Sequence, residues 1–231
     1  MEEDKILTTK QLADYINLNE KTIIKMAQKG ELPGKKIANQ WRFSLSVINE
    51  YLQDNIIKSK NYNLSNLIKS EDNIIPFSRL TDQSYIKMDL SSEKISEVLL
   101  ELALIAENAG LSPSAKTLYK KLLDREEMLS TAIGNGMAIP HPRNPDDNLF
   151  KKQSIIIARS KNGVDFKSPD GGKVYFFLMP CAPDVVLHLK LLTKISRLLH
   201  VEGIISRFMS AETKDDIIRI LLEAERIQLK T

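Results

Sequence analysis

The chain has 231 residues, more than one ordinary small domain needs and enough for a short module joined to a domain of about 150 residues. Hydrophobic residues make up 42% and charged residues 27%, which excludes a disordered or low-complexity chain, and the single cysteine, Cys181, excludes an internal disulfide and any all-cysteine metal site. The net charge of +3 is unevenly spread: Lys21, Lys25, Lys29, Lys35, Lys36 and Arg42 face only Glu31 between positions 21 and 42, a local +5 on an otherwise near-neutral chain.

Residues 1–54 read as a small unit. Thr9 is placed to cap a helix carrying Leu12, Ala13 and Ile16, and Asn19 to cap a second helix holding Ile23, Ile24 and Ala27 and ending at Gly30. Two short helices joined by a tight turn form the helix-turn-helix pattern. The stretch Lys35–Phe43 alternates around a polar turn and predicts a hairpin, after which Ser44 or Ser46 caps a closing helix with Val47, Ile48, Tyr51 and Leu52. Asn and Ser then accumulate, and residues 55–84 read as a linker with one helical turn around Leu64 to Ile68.

Residues 85–231 read as a second domain. Ser91 or Ser92 is expected to cap a helix with Ile95, Val98, Leu99, Leu102, Ile105 and Ala106 on one face, and a further helix is expected from Ser114 to Met128. The apolar runs Ser154–Ala158 and Val174–Met179 predict buried strands. Helices follow from Asp184 to His200, near Ile204 to Met209, and after a Thr213 cap. The fold class is therefore α/β, a mixed sheet flanked by helices, with a small winged helix-turn-helix domain at the N-terminus.

The segment that carries chemistry is Arg125 to His141. Gly134 and Gly136 bracket Asn135, leaving backbone amides open to an anionic oxygen, so these three residues are candidates for binding phosphate. Pro140 stiffens the approach to His141, whose neutral imidazole is a competent nucleophile at cytosolic pH. Arg125 offers a planar, always charged fork to a phosphoryl group, although an arginine here also suits a helix C-terminus. Few histidines and one cysteine leave little for a metal, and none is expected, nor any cofactor. Cys181 reads as packing, and His200 as a surface residue.

With its Gly-Asn-Gly and Ala-Ile-Pro-His core, Arg125 to His141 resembles the active-site motif of the fructose/mannitol-type enzyme IIA domains of the bacterial phosphotransferase system, which include the nitrogen-regulatory IIA proteins. The resemblance implies that His141 is phosphorylated by an HPr-like phosphocarrier protein, that Arg125 contacts the phosphoryl group, and that His188, in Leu187–Ile195, is the second histidine facing the first. It covers residues 85 to 228. Pro142 departs from the small residue usual after the active-site histidine and removes an N–H that could face phosphate. Early in its helix, His188 meets a dipole that disfavours the imidazolium and Asp184, which favours it; the sequence leaves that balance open.

Residues 1–52 resemble the excisionase-like, MerR-related helix-turn-helix module through Leu7–Ala13, Asn19–Ile23, Gly30–Pro33 and Trp41-Arg42-Phe43. The resemblance implies a recognition helix presenting Lys21, Thr22 and Lys25 to DNA and a wing offering Lys35, Lys36, Asn39 and Arg42, with Trp41 as a core anchor. One copy makes few phosphate contacts, so binding is expected to be weak and salt-sensitive unless the protein forms a homodimer. No apolar run approaches the roughly 20 residues of a membrane span, and the acidic start Met1-Glu2-Glu3-Asp4 is unlike a secretory signal, so a cytoplasmic location is expected. Together these features predict a regulator that couples histidine phosphorylation to DNA binding. The alternatives are a sugar-uptake IIA component, and a DNA-binding regulator whose IIA-like domain is not phosphorylated.

Overall fold

The computed structural model describes residues 5–16, 19–30, 32–58, 75–143, 145–146 and 148–228. The chain divides into two compact units, Met1–Asn73 and Ile74–Thr231.

In the first unit, strand β1 (Ile6–Thr8) leads into helix α1 (Thr9–Ile16), helix α2 (Glu20–Gln28), strands β2 (Lys35–Ile37) and β3 (Gln40–Ser44), and helix α3 (Leu45–Lys58). The strands form an antiparallel sheet in the order β1-β3-β2. The α1 cap is Thr8 rather than Thr9: Gln11 N–H donates to Thr8 Oγ1 at 3.2 Å and Thr8 N–H donates to Gln11 Oε1 at 2.9 Å, a reciprocal box that a Gln or Glu three residues on permits. Asn19 caps α2 as expected, its side chain accepting from Lys21 N–H. The β2–β3 turn places Ala38 and Asn39 at φ 47° and 63°, the left-handed pair that matches the twist of a two-residue hairpin. Leu12, Ile23, Phe43, Ile48 and Leu52 make the core. Trp41 stacks on Phe43 with centroids 6.2 Å apart, and a Cβ on Gly34 would lie 2.6 Å from the Phe43 ring, so the chain passes close over this pair.

The second unit begins earlier than the sequence suggests. Residues expected to be linker form helix α4 (Phe77–Leu80) and a 3-10 turn (Gln83–Tyr85), and Ile86–Lys87 forms strand β4. Phe77 and Leu80 are buried, Phe77 N–H donates to Glu225 at 3.0 Å, and Lys194 Nζ lies 4.2 Å from the Phe77 ring centroid. The α3 helix likewise runs past residue 54 to Lys58. Four residues of α4 are too short to show helical periodicity, so their role emerges only from packing. The helical turn expected around Leu64 to Ile68 lies outside the described residues.

Helices α5 (Ile95–Asn108) and α6 (Ala115–Met128) follow, then strands β5 (Ala132–Gly134), β6 (Met137–Ala138), β7 (Ser154–Val164) and β8 (Val174–Cys181), and helices α7 (Val185–Leu199), α8 (Ile204–Ser210) and α9 (Lys214–Gln228). Ser91 and Ser92 do not cap α5; their side chains donate to Glu101, and Lys94 occupies the cap position. Ser114 and Asp184 cap α6 and α7 through their side chains, and Thr213 Oγ1 accepts from Asp216 N–H at the start of α9.

The sheet is mixed, in the order β4-β7-β8-β6-β5: β4 is parallel to β7, β7 antiparallel to β8, β6 parallel to β8, and β5 antiparallel to β6. Strands β7 and β8 are central and buried on both faces, which is why their sequences read as apolar runs. Ile156, Ala158, Phe177 and Met179 share one face with Val98, Leu102, Leu118 and Leu122 of α5 and α6 in a single cluster. On the opposite face Phe176 packs against Phe208 of α8, with centroids 5.6 Å apart. The unit is thus a sheet between two helical layers.

Candidate phosphoryl-transfer site

The topology carries three side chains to one end of this sheet. His141 lies just past the C-terminal end of β6, and His188 lies in the first turns of α7, which follows β8. Because β6 and β8 are parallel, their C-terminal ends coincide, the place where ligands commonly bind in α/β sheets. Strand β5 is antiparallel to β6, so the connector from α6 into β5 reaches the same end and brings Arg125 with it.

The His141 and His188 rings are 5.3 Å apart between centroids and tilted by 43°, and both are fully buried. His141 Nδ1 lies 2.7 Å from the carbonyl oxygen of Ile139. A carbonyl only accepts, so Nδ1 carries the proton and Nε2 holds the lone pair. Nε2 of His141 and both ring nitrogens of His188 have no hydrogen-bond partner among the described residues. Buried polar atoms are nearly always satisfied, and those that are not concentrate at sites of function.

Arg125 is 5% exposed and its Nη1 donates to the Leu129 carbonyl at 2.7 Å. It thus closes the end of α6, as one reading of the sequence expected, while its charge acts on both rings. Burial, with the Arg125 charge beside it, lowers His141 to about 3, and burial, the neighbouring ring and Arg125 hold His188 well below the usual range. Both imidazoles are neutral at neutral pH. The contest between helix dipole and Asp184 over His188 is decided by neither: Asp184 spends Oδ1 on the N–H of Leu187, and burial dominates.

The Gly134-Asn135-Gly136 turn stands apart from this cluster. It joins the other ends of β5 and β6, whereas His141 lies three residues beyond the C-terminal end of β6. Asn135 N–H donates to Asp170 Oδ2 at 2.7 Å, and the Gly136 carbonyl accepts from Tyr175 and Phe176 N–H. The positive φ of all three residues, 88°, 52° and 75°, is what the tight turn requires, and a Cβ on Gly136 would meet Met209 at 2.6 Å. These glycines therefore serve the hairpin rather than a phosphate at His141.

Sequence reasoning missed Glu126 and Thr131, which lie inside the motif. The Glu126 carboxylate accepts from Thr131 N–H at 3.0 and 3.2 Å and from Thr131 Oγ1 at 2.5 Å. Burial raises its pKa, against the pull of these bonds. The signal was a Glu in the last turn of a helix, where the dipole disfavours it and a tertiary partner must compensate. Cys181 is fully buried in the α5–α6 face of the sheet, and burial pushes its thiol up, which makes it inert. His200 is exposed, with Nδ1 2.7 Å from the Ser196 carbonyl oxygen. No group of three or more His, Cys, Asp or Glu side chains among the described residues is placed to hold a metal.

In the first unit Lys21, Lys25, Lys35, Lys36 and Asn39 are exposed, and Thr22 and Arg42 half-buried. Lys21 and Lys25 share one face of α2, four residues apart. The wing is split: Lys35 pairs with Arg42 on one face of the hairpin, whereas Lys36 pairs with Trp41 on the face that carries Phe43. Arg42 is braced by Gln40 Oε1 and the Trp41 carbonyl.

A buried, neutral histidine pair beside an arginine at the carboxyl end of a mixed sheet, in a chain that also carries a helix-turn-helix unit, defines a protein of the phosphotransferase IIA class. Residues 79–224 match the family model for the phosphoenolpyruvate-dependent sugar phosphotransferase system, EIIA 2, and the chain belongs to that family; residues 6–56 match a helix-turn-helix domain. The chain is 32% identical over 143 residues to the fructose-specific EIIABC component of Bacillus subtilis, covering 61% of this chain but only 22% of that protein. It is 28% identical over 160 residues to the nitrogen regulatory protein of Klebsiella oxytoca, covering 67% of this chain and 95% of the relative. The crystal structure of nitrogen regulatory protein IIA-Ntr from Neisseria meningitidis shares the fold, with a TM-score of 0.55 and 24% identity over 62% of this chain and 97% of that one. No helix among the described residues is long and apolar enough to cross a membrane.

Proposed function

We propose that the protein is a regulator in which His141 takes a phosphoryl group from the phosphohistidine of a carrier protein and the resulting charge alters DNA binding by the N-terminal unit. The observation that carries this reading is the unbonded Nε2 of a neutral His141 ring that lies beside the His188 ring and within reach of the Arg125 charge, its proton held at Nδ1 by the Ile139 carbonyl. The Nε2 lone pair attacks phosphorus, and the bond to the carrier's ring nitrogen breaks with its electron pair returning to that ring. The proton stays on Nδ1, hydrogen-bonded to the Ile139 carbonyl, and the carrier ring leaves as neutral imidazole with the proton that its other nitrogen already carries. Arg125 and a ring N–H of His188 offset the charge on the phosphoryl oxygens, the electrostatic help that phosphoryl transfer mainly requires. Met128, Leu129 and Val186, exposed apolar residues on the segments that carry Arg125 and His188, suit a protein donor.

Phosphorylation adds close to two negative charges and gives the phosphoryl site the means to bias a basic unit on the same chain. In this reading residues 55–84 include the connection between the two units, Lys21, Thr22 and Lys25 face DNA, and Lys35, Lys36, Asn39 and Arg42 contact its backbone. Incubation with phosphoenolpyruvate, enzyme I and a phosphocarrier should place acid-labile phosphate on the wild type and none on His141→Ala. Equal labelling of the two, or none on the wild type, defeats the proposal. The fructose-specific relative favours a second reading, in which the phosphate passes on to a IIB protein for sugar uptake. Fast onward transfer to a IIB partner, with DNA affinity indifferent to phosphorylation, would select it.

A further inference from the structure

His141 sits at the end of a chain of four residues joined by three hydrogen-bonded links, which starts at a buried carboxylate. Glu126 is 8% exposed, and Thr131, which donates to it from both its N–H and its hydroxyl, is 4% exposed. The Thr131 carbonyl accepts from Ile139 N–H at 3.0 Å, and the Ile139 carbonyl accepts from His141 Nδ1 at 2.7 Å. The Thr131–Ile139 bond lies one step beyond the Ala132–Ala138 pair of β5 and β6. The next residue, Pro140, has no N–H to donate. A carboxylate buried in the last turn of a helix, where the dipole opposes it, is costly unless its bonds serve something.

We propose that Glu126 is a positioning residue for the phosphoacceptor: through Thr131 and Ile139 it holds the Nδ1 proton of His141 in place, so that Nε2 is the nucleophile. Arg125 and Glu126 then divide the work at the end of α6. One pins the Leu129 carbonyl and lends charge to the rings; the other pins Thr131 and sets the ring's tautomer. The importance for transfer rests on the phosphoacceptor reading of His141, whereas the tautomer does not.

The test uses the full-length protein with 15N-labelled histidine. Nitrogen chemical shifts at neutral pH should show wild-type His141 as the Nδ1–H tautomer. In Glu126→Gln an amide N–H₂ replaces one acceptor oxygen and confronts the Thr131 donors, so the Nε2–H tautomer becomes populated. Single-turnover phosphorylation by purified phosphorylated carrier should then fall about tenfold, the order of one lost hydrogen bond's worth of positioning, with the apparent KM for the carrier unchanged. Thr131→Val should behave in the same direction and Thr131→Ser should restore both readouts, which keeps the test decisive if Glu126→Gln does not fold. An Nε2–H tautomer in the wild type overturns the proposal. So do folded Glu126→Gln and Thr131→Val variants with unchanged tautomer, even if they transfer slowly, since the role is then only structural. A wild type with the Nδ1–H tautomer that takes no phosphate defeats the phosphoacceptor reading and leaves the positioning chain standing.

Discussion

His141 and His188 give the molecule an acid sensitivity whose sign follows from their burial. Folding lowers His141 to about 3, while in the unfolded chain the ring returns to about 6.5. Above pH 6.5 both states are neutral and nothing is gained or lost. As pH falls below that value the unfolded ring takes up a proton that the folded one refuses, so stability drains away toward pH 3 with a slope approaching about 1.4 kcal/mol per pH unit for each such histidine. Urea unfolding of His141→Gln between pH 6.5 and 4.5 should therefore show a shallower loss than the wild type. Identical slopes would mean that the ring is not held neutral in the folded protein.

At the level of elements, the second unit is tied together by a contact that the sequence hides. Glu225 of α9 accepts from Lys194 Nζ of α7 at 3.0 Å and from the Phe77 N–H at the start of α4. The Lys194 and Glu225 side chains are 13% and 12% exposed, and Lys194 also lies over the Phe77 ring. Burial lowers the Lys194 pKa despite its carboxylate partner, which shows how far the pair is withdrawn from water. Removing Glu225 leaves the Lys194 charge buried and the Phe77 amide without this acceptor. Glu225→Ala should destabilise the unit by about 2–4 kcal/mol. A thermal or urea midpoint within experimental error of the wild type would show that α4 is held by its apolar contacts alone. Four-residue elements such as α4 carry no periodic signal, whereas α5 to α7 and α9 expose their faces to inspection through spacing and caps.

For the whole molecule, charge and the histidine pair divide between the two units. The basic segment falls entirely in the first unit, and the His141–His188 pair with Arg125 entirely in the second. If α2 reads DNA, Lys21→Ala with Lys25→Ala should lower the slope of log affinity against log salt by about 2, one per lost phosphate contact. An unchanged slope would move the DNA contact away from α2. The wing contributes differently from what a list of its cations implies, because the hairpin register sends Lys35 and Arg42 to one face and Lys36 to the other.

The sequence by itself determined the two-unit organisation, the α/β class and nearly all the long elements, and it singled out His141, Arg125 and His188, which the fold brings to one end of the sheet, because caps, periodicity and a local motif are written in neighbouring residues. It did not reveal that the Gly-Asn-Gly turn lies at the wrong end of the hairpin for phosphate, since the direction in which a turn points depends on which strands pair. Nor did it reveal the neutrality of the histidine pair, because desolvation is a property of everything packed around the rings. Glu126 and Thr131 stood in plain view inside the motif. Only the tertiary structure connects them to His141, through hydrogen bonds that cross from a helix end to one strand and on to the next.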